Sequence, residues 1–427
     1  MQLPLTRRQM LIAGALAGFA PRRARAQRRV APEVIGNPFL ARWPDAPYPR
    51  NIWDMEVAAG RLYLGAGNSS NIGPSPNAGP VPIVSYDGRT FRTEFIVDEE
   101  QIARFYLDGD TLMIPGHDGR EDWTFGNFYL LGPHGWEKRR NIPGGIHVYD
   151  VRRRGGLLVA VGGTEKQSVD AWLSDDDGRR WRPASLLPNP DFATPDNPAG
   201  AFERVLENVA PRLWSLFEIG RHLYASATLP VRPAGSAMPT IRAILLRFDE
   251  TGGGFVPVAF DPRTLSPAWS QRLAGKGFDP LPGLEREPAD AVPVIQRAVR
   301  IGEQTVYIGG RQHNDHQWLP FGLFVASERG ARRLSLADGW QARDLLVRNG
   351  RVYALLDRQE AFGAFAIAVA RIALPDGECR FLFTFAEPTF ARSFAYFDAG
   401  FIMALGSEIR DPRSGRAKPS GARNFPN

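Results

Sequence analysis

The segment Ser174–Trp181 reads SDDDGRRW, and the fold depends on whether its acids do chemistry or only turn the chain. Three consecutive carboxylates beside two arginines have the composition of an acid–base site. The neighbours argue for a turn. Strand-forming residues from Val169 to Leu173 precede the run, Trp181 closes it, and Gly178 sits where a tight hairpin needs a residue tolerant of positive φ. Similar glycine-bearing turns recur at Ser85–Phe91 (SYDGRTF), Gly132–Trp136 (GPHGW), Asp249–Phe255 (DETGGGF), Ser327–Gly330 (SERG) and Pro375–Glu378 (PDGE). SDDDGRRW is therefore one turn of a repeated hairpin.

A second hairpin alternates with the first. It appears seven times, marked by Leu62, Leu112, Leu157, Leu223, Val306, Val352 and Ile402, which are 50, 45, 66, 83, 46 and 50 residues apart. Two hairpins per period of 45–50 residues describe a four-stranded blade, and blades in series describe a β-propeller. The sequence predicts an all-β chain and no long helix. Six blades are complete in consecutive sequence; a seventh has its first hairpin at Ser393–Ala404 but no second one. The segment Val30–Arg50 is expected to supply the missing outer strand, which gives a seven-bladed β-propeller, with a six-bladed one as the alternative. One domain over residues 30–409 accounts for the pattern, and residues 410–427, rich in Gly, Pro and basic side chains, are expected to be a disordered tail.

The spacing Ser174-x-Asp176-x-Gly178-x-x-Trp181 resembles the Asp-box (BNR repeat) of the sialidase-like β-propellers. The strict match covers eight residues of one blade, and Ser85–Phe91 is a shortened version. The resemblance implies structural roles: Asp176 accepting from turn amides, Gly178 in the strained conformation, Trp181 packed between strands. Sialidase activity does not carry over, because the Arg-Ile-Pro motif of those enzymes is missing and Tyr48-Pro49-Arg50 is the nearest approach.

The N-terminus has the marks of a leader. Arg7 and Arg8 precede the apolar run Met10–Ala20, and Ala24-Arg25-Ala26 offers a small-residue cleavage site. The run is too short to span a bilayer, and the paired arginines resemble a twin-arginine (Tat) signal. Residues 1–26 are read as a signal peptide handled by the Tat translocase, with a periplasmic or secreted product that has no transmembrane segment. Cleavage removes five arginines and no acid, lowering the formal charge from +6 to +1, so the basic balance gives no case for nucleic acid. A single cysteine, Cys379, excludes an intramolecular disulfide framework.

With the four strands of a blade lettered A to D from the first hairpin (A and B) to the second (C and D), the A–B and C–D turns of a propeller share one face, and the B–C and D-to-A connections share the other. The resemblance places ligands on the second face, at the mouth of the central channel. The irregular segments Asn68–Pro80, Gly116–Phe125 and Gly310–Pro320 are expected there as B–C loops, and Ala184–Arg212 and Ala259–Ile295 as long D-to-A insertions. His117 and Asp118, with His313, Asp315 and His316, place imidazole beside carboxylate, a mix suited to a divalent metal or to proton transfer. His147, opening an A strand, is a candidate general acid/base. Arg297 and Arg343 occupy what read as matching positions, with Arg104 and Arg392 within a residue of them, suited to a planar anion. Trp53, Trp214 and Trp318 are candidate sugar-stacking surfaces. The competing reading pairs these arginines with the strand-start acids Asp54, Asp150 and Asp344.

Three functional readings follow, and the sequence does not decide whether catalysis occurs. The first is a protein that binds, and hydrolyses or cleaves, an acidic carbohydrate or similar anionic ligand. The second is a non-enzymatic scaffold or assembly factor docking a protein partner through its long insertions. The third is a metal-dependent hydrolase or lactonase.

Overall fold

The computed structural model describes residues 29–69, 77–163, 168–184, 187–188, 212–231, 240–259, 294–314, 317–361, 363–374, 376–406 and 422–426. The chain is a β-propeller of four-stranded antiparallel blades. The innermost strands are β1 (Asp54–Ala58), β2 (Tyr106–Asp108), β3 (His147–Arg154), β4 (Arg212–Ile219), β5 (Val294–Ile301), β6 (Gln341–Arg348) and β7 (Ala391–Phe397). Each of β1 to β6 begins a sheet that takes its next three strands from the sequence that follows, and the sheet of β3 carries the extra short strand Leu187–Pro188. These are the six blades complete in consecutive sequence.

A further sheet is composite. β7 pairs with Gly400–Leu405, which pairs with Ala422–Pro426, and the N-terminal strand Glu33–Gly36 forms the outer edge. The outer strand comes from the segment expected to supply it. The tail requires a correction, since Ala422–Pro426 is the third strand of this sheet. A short basic segment carries little apolar signal of its own; backbone pairing on both sides makes it a strand. Residues 1–26 and 410–421 lie outside the described residues.

Apolar packing closes the circle. A buried cluster lies between each pair of neighbouring sheets: Tyr63, Val81 and Ile102 meet Leu112, Ile114 and Tyr129 between the first two, and Val306, Ile308 and Leu323 meet Leu345, Leu356 and Ala368 between the fifth and sixth. Ile52, Met55 and Leu62 meet Ala395, Ile402 and Ala404, joining the first sheet to the composite one. Middle strands are buried on both faces, as in Val81–Tyr86, whereas the outer strand Phe91–Val97 is buried mainly at its end. The hairpins turn tightly: Asn349 (φ 47°) and Gly350 (φ 64°) are both left-handed between β6 and the next strand, the geometry of a type I′ turn.

SDDDGRRW is a turn here. Ser174 Oγ accepts from the Gly178 amide at 2.8 Å, and Asp176 Oδ1 accepts from the Arg180 amide at 2.9 Å. Gly178 has φ +75°, and Trp181 is buried edge-on to Phe128 of the preceding sheet at 5.6 Å. The indole thus packs between blades as well as beside its own strands. Asn141 of that preceding sheet donates to the Gly178 carbonyl at 2.8 Å, and Arg153, near the end of β3, reaches Asp177 at 2.8 Å. The turn lies at the end of β3 opposite His147, and an eight-residue strand separates its ends by about 23 Å.

One loop is corrected. Gly310–Pro320 is mostly not a loop, because the strands Gln304–Asn314 and Gln317–Ser327 extend almost to its middle. Polar strand residues there hid the pairing. The long insertions fall largely outside the described residues, at 189–211 and 260–293. Among the described residues no helix is long and apolar enough to cross a membrane.

Candidate functional site

Five of the seven sheets begin with the same small device. The register with the second strand slips between Val148 and Asp150 in β3, Leu213 and Ser215 in β4, Ile295 and Arg297 in β5, Ala342 and Asp344 in β6, and just before Ser393 in β7. The extra residue at each slip is Tyr149, Trp214, Gln296, Arg343 or Arg392, and a β-bulge at Tyr149, Trp214, Arg343 and Arg392 re-aims the side chain. Trp53 stands just before β1 at the corresponding point, its amide bonded to the Gly65 carbonyl.

The next residue latches blade to blade. Asp54 accepts from the Phe105 amide at 2.8 Å, Asp150 from Leu216 at 2.7 Å, and Asp344 from Phe394 at 3.0 Å. Ser215 and Ser393 donate to the carbonyls of Ile295 and Ile52. This sorting corrects the expected alignment of the arginines. Arg104 and Arg297 fall on the latch position, whereas Arg343 and Arg392 fall one residue earlier, on the bulge.

The latch arginines are structural. Arg104 pairs with Asp150 at 2.5 Å. Arg297 binds Asp344 through Nε at 2.7 Å and Asp54 through Nη2 at 2.9 Å. β6 and β7 separate β5 from β1 in the ring, so Arg297 spans the central channel and bars it. Burial pushes Asp344 up to about 6 despite this partner, and pushes Glu56, deeper on β1, up to about 7 with help from Asp54.

The bulge arginines differ from each other. Arg343 Nε bonds Asp357 at 2.8 Å. Arg392 lies over the Trp53 ring at 3.5 Å and within 5.9 Å of Phe390, and has no carboxylate against it among the described residues. Burial, reinforced by Arg343, lowers it to about 9, the response of a desolvated cation.

On the other side of the ring, imidazole and aromatic groups meet. Tyr149 stacks on Trp214 at 4.5 Å and on His147 at 5.7 Å, and His117 stands edge-on to it at 5.0 Å. Arg212, at the start of β4, lies over the Tyr149 ring at 5.6 Å and donates to its hydroxyl. His147 Nδ1 faces two acceptors, the His117 carbonyl at 3.3 Å and Asp118 Oδ1 at 3.4 Å. The carbonyl can only accept, so Nδ1 carries the proton and Nε2 keeps its lone pair. Burial, then Arg212 and Arg104, lowers His117 to about 3; burial and Arg212 hold His147 well below its ordinary value. Burial and Glu100 push Asp118 up to about 7. Near neutral pH both imidazoles are uncharged.

Glu99 holds this loop in place. Wholly buried, it accepts from Asn127 at 2.6 Å, from the Tyr129 hydroxyl at 3.0 Å and from the Asp118 amide at 2.9 Å.

The structure thus brings His117, Asp118 and His147 together. His313 lies on the strand Gln304–Asn314, where only the backbone is described, as does Trp318 on the strand Gln317–Ser327; Asp315 and His316 lie outside the described residues. Among the described residues no three metal-binding side chains converge, so no metal step is assigned. Tyr149, Arg212 and Asp357 were missed as site residues. The pattern apolar–x–polar at Ile52-Trp53-Asp54, Val148-Tyr149-Asp150, Leu213-Trp214-Ser215 and Ala342-Arg343-Asp344 would have put Tyr149 in the same class as Trp53.

No protein-family model matches the chain, and no curated protein matches it. Among solved structures it is similar to the periplasmic gluconolactonase of Pseudomonas aeruginosa, with 13% identity over 86% of this chain and 96% of that one and a TM-score of 0.43. It is also similar to the β-propeller domain of the Trilobed protease from Pyrococcus furiosus, with 10% identity over 88% of this chain and 94% of that one and a TM-score of 0.45.

Proposed function

We propose that this chain is an exported, seven-bladed propeller that binds an acidic carbohydrate or similar anionic ligand at the end of the channel where the innermost strands begin. Arg392 carries the reading. Its half-buried guanidinium rests on an indole and meets no carboxylate among the described residues, whereas Arg104, Arg297 and Arg343 each hold one. A buried cation lacking a counter-charge is costly, and a planar anion that accepts two parallel N–H bonds offsets that cost. Trp53 adds a flat apolar face for a sugar ring, and Trp123, exposed on the loop after Asp118, adds another indole at the same end.

In this reading the composite sheet is the seventh blade, SDDDGRRW is an Asp-box turn, and residues 1–26 are a twin-arginine leader whose loss leaves a periplasmic or secreted protein. Titration of the purified protein with galacturonate, followed by calorimetry, tests the ligand. Binding lost in Arg392→Ala supports it. If neither galacturonate nor its oligomers bind the wild type, the anion site is wrong and docking of a protein partner takes its place.

The His147–Asp118 contact favours a second step, hydrolysis of the bound ligand. Nε2 of His147 would take a proton from water as the water oxygen attacks, and return it to the departing oxygen as the bond to it breaks. Product formation lost in His147→Gln with ligand affinity retained is the expected result; turnover unchanged in that variant removes His147 from the chemistry.

A further inference from the structure

Arg392 is not alone in having no acid beside it among the described residues. Arg212 begins β4, three places round the ring from β7, on the opposite side of the channel mouth. It lies against the ring of Tyr149 and donates to its hydroxyl, and no carboxylate lies within ion-pair distance among the described residues. Asp118, the acid that feels its charge, is turned toward His147 instead. The two imidazoles beside Arg212 are neutral near pH 7 and supply no countercharge. Each of these guanidinium groups is backed by an aromatic wall, Trp53 behind Arg392 and Tyr149 stacked on Trp214 behind Arg212. Between them Arg297 is neutralised by Asp54 and Asp344.

We infer that Arg212 and Tyr149 form a second anion subsite facing the Arg392–Trp53 subsite across the channel mouth, and that the ligand carries two acid groups joined by a span of sugar-like scaffold. This rests on the Arg392 reading and adds the substrate class: an acidic oligosaccharide with at least two carboxylates rather than a monoacid. Two modest anion contacts joined in one molecule reinforce each other, because the second forms at high effective concentration once the linker matches the span.

Calorimetric titration with galacturonate, digalacturonate and trigalacturonate tests this on wild type, Arg212→Gln and Arg392→Ala, each variant first checked for an unchanged thermal midpoint. Gln at 212 removes the charge while keeping an N–H for the Tyr149 hydroxyl. The expected result is a rise in affinity of at least about tenfold from the monomer to the oligomer that spans both subsites. Arg212→Gln removes the rise, so that the oligomers bind no tighter than galacturonate, and Arg392→Ala weakens binding of all three. If galacturonate binds through Arg392 but the oligomers bind no tighter, or Arg212→Gln leaves the rise intact, the second subsite is wrong and the first stands. If no probe binds the wild type, both fall together.

Discussion

Arg297 and Arg392 begin strands two sheets apart, one residue different in register, and their surroundings could hardly differ more. Arg297 crosses the channel between two carboxylates, and Arg392 lies on an indole with no acid beside it among the described residues. The lesson is that place in the repeat does not make an arginine a ligand-binding group. On the latch position a charge meets the acids that tie neighbouring sheets together. One residue earlier the bulge takes the side chain away from those acids, and a partner comes from outside or from a second strand, as Asp357 does for Arg343.

The sharpest way to break this comparison is to remove the structural charge. Arg297→Ala leaves Asp54 and Asp344 buried together without a cation, and loss of one partner of a buried pair costs about 3–5 kcal/mol. Chemical denaturation should show a loss of this size. Lysine should restore little, since a point charge cannot bridge two carboxylates as the guanidinium fork does. A loss under about 1 kcal/mol would mean that the channel tolerates the acids alone, and that Arg297 is as free for ligand as Arg392.

The acids can be sorted the same way, because Glu99 is held by neutral donors where Asp344 has an arginine. Burial raises Glu99 to about 7. Between its unfolded value near 4.5 and about 7, the folded chain keeps a proton that the unfolded chain has lost. The stability this gives is complete below the unfolded value and disappears as pH rises through about 7. The shift corresponds to about 3 kcal/mol. Glu99→Gln should therefore gain on wild type by about that much between pH 4.5 and pH 8. Glu56, also raised to about 7, keeps its own slope in both proteins and drops out on subtraction, whereas Asp118 interacts with Glu99, so the difference reports the two together. A difference that stays flat with pH would show Glu99 ionised throughout.

Arg392→Ala should invert the pattern of Arg297→Ala. Galacturonate affinity should drop at least tenfold, about 1.4 kcal/mol, while stability stays within about 1 kcal/mol or rises, because a desolvated cation has been removed. Equal losses in both measurements would make Arg392 one more latch.

Much of the fold was legible because hairpin turns and apolar pairs repeat along the chain, and six blades came straight from consecutive sequence. The composite sheet was legible only at its outer edge. Ala422–Pro426 gains its order by pairing on both sides, a long-range cause that leaves no local pattern. At the site, His117, Asp118 and His147 were visible as residue types near loop ends. The division of the arginines was not, because a one-residue bulge decides it and backbone register cannot be seen in composition. Tyr149 and Arg212 went unnoticed for a related reason: each looks ordinary until stacked against a residue from the neighbouring blade.

The smallest effect should come from the far end of the molecule, at SDDDGRRW. Ser174 is buried and its hydroxyl accepts from the Gly178 amide while donating to Asp176. Ser174→Ala leaves that amide without its acceptor and should cost about 1 kcal/mol. Binding should not change, since the turn lies about 23 Å along β3 from His147 and its contacts run to Arg153 and the preceding sheet. The variant therefore sets the scale on which the mouth is judged. If a turn substitution that loosens one hairpin already weakens galacturonate binding, then loss of binding in Arg392→Ala reports a loosened ring. If it does not, the mouth's response belongs to the unpaired charge.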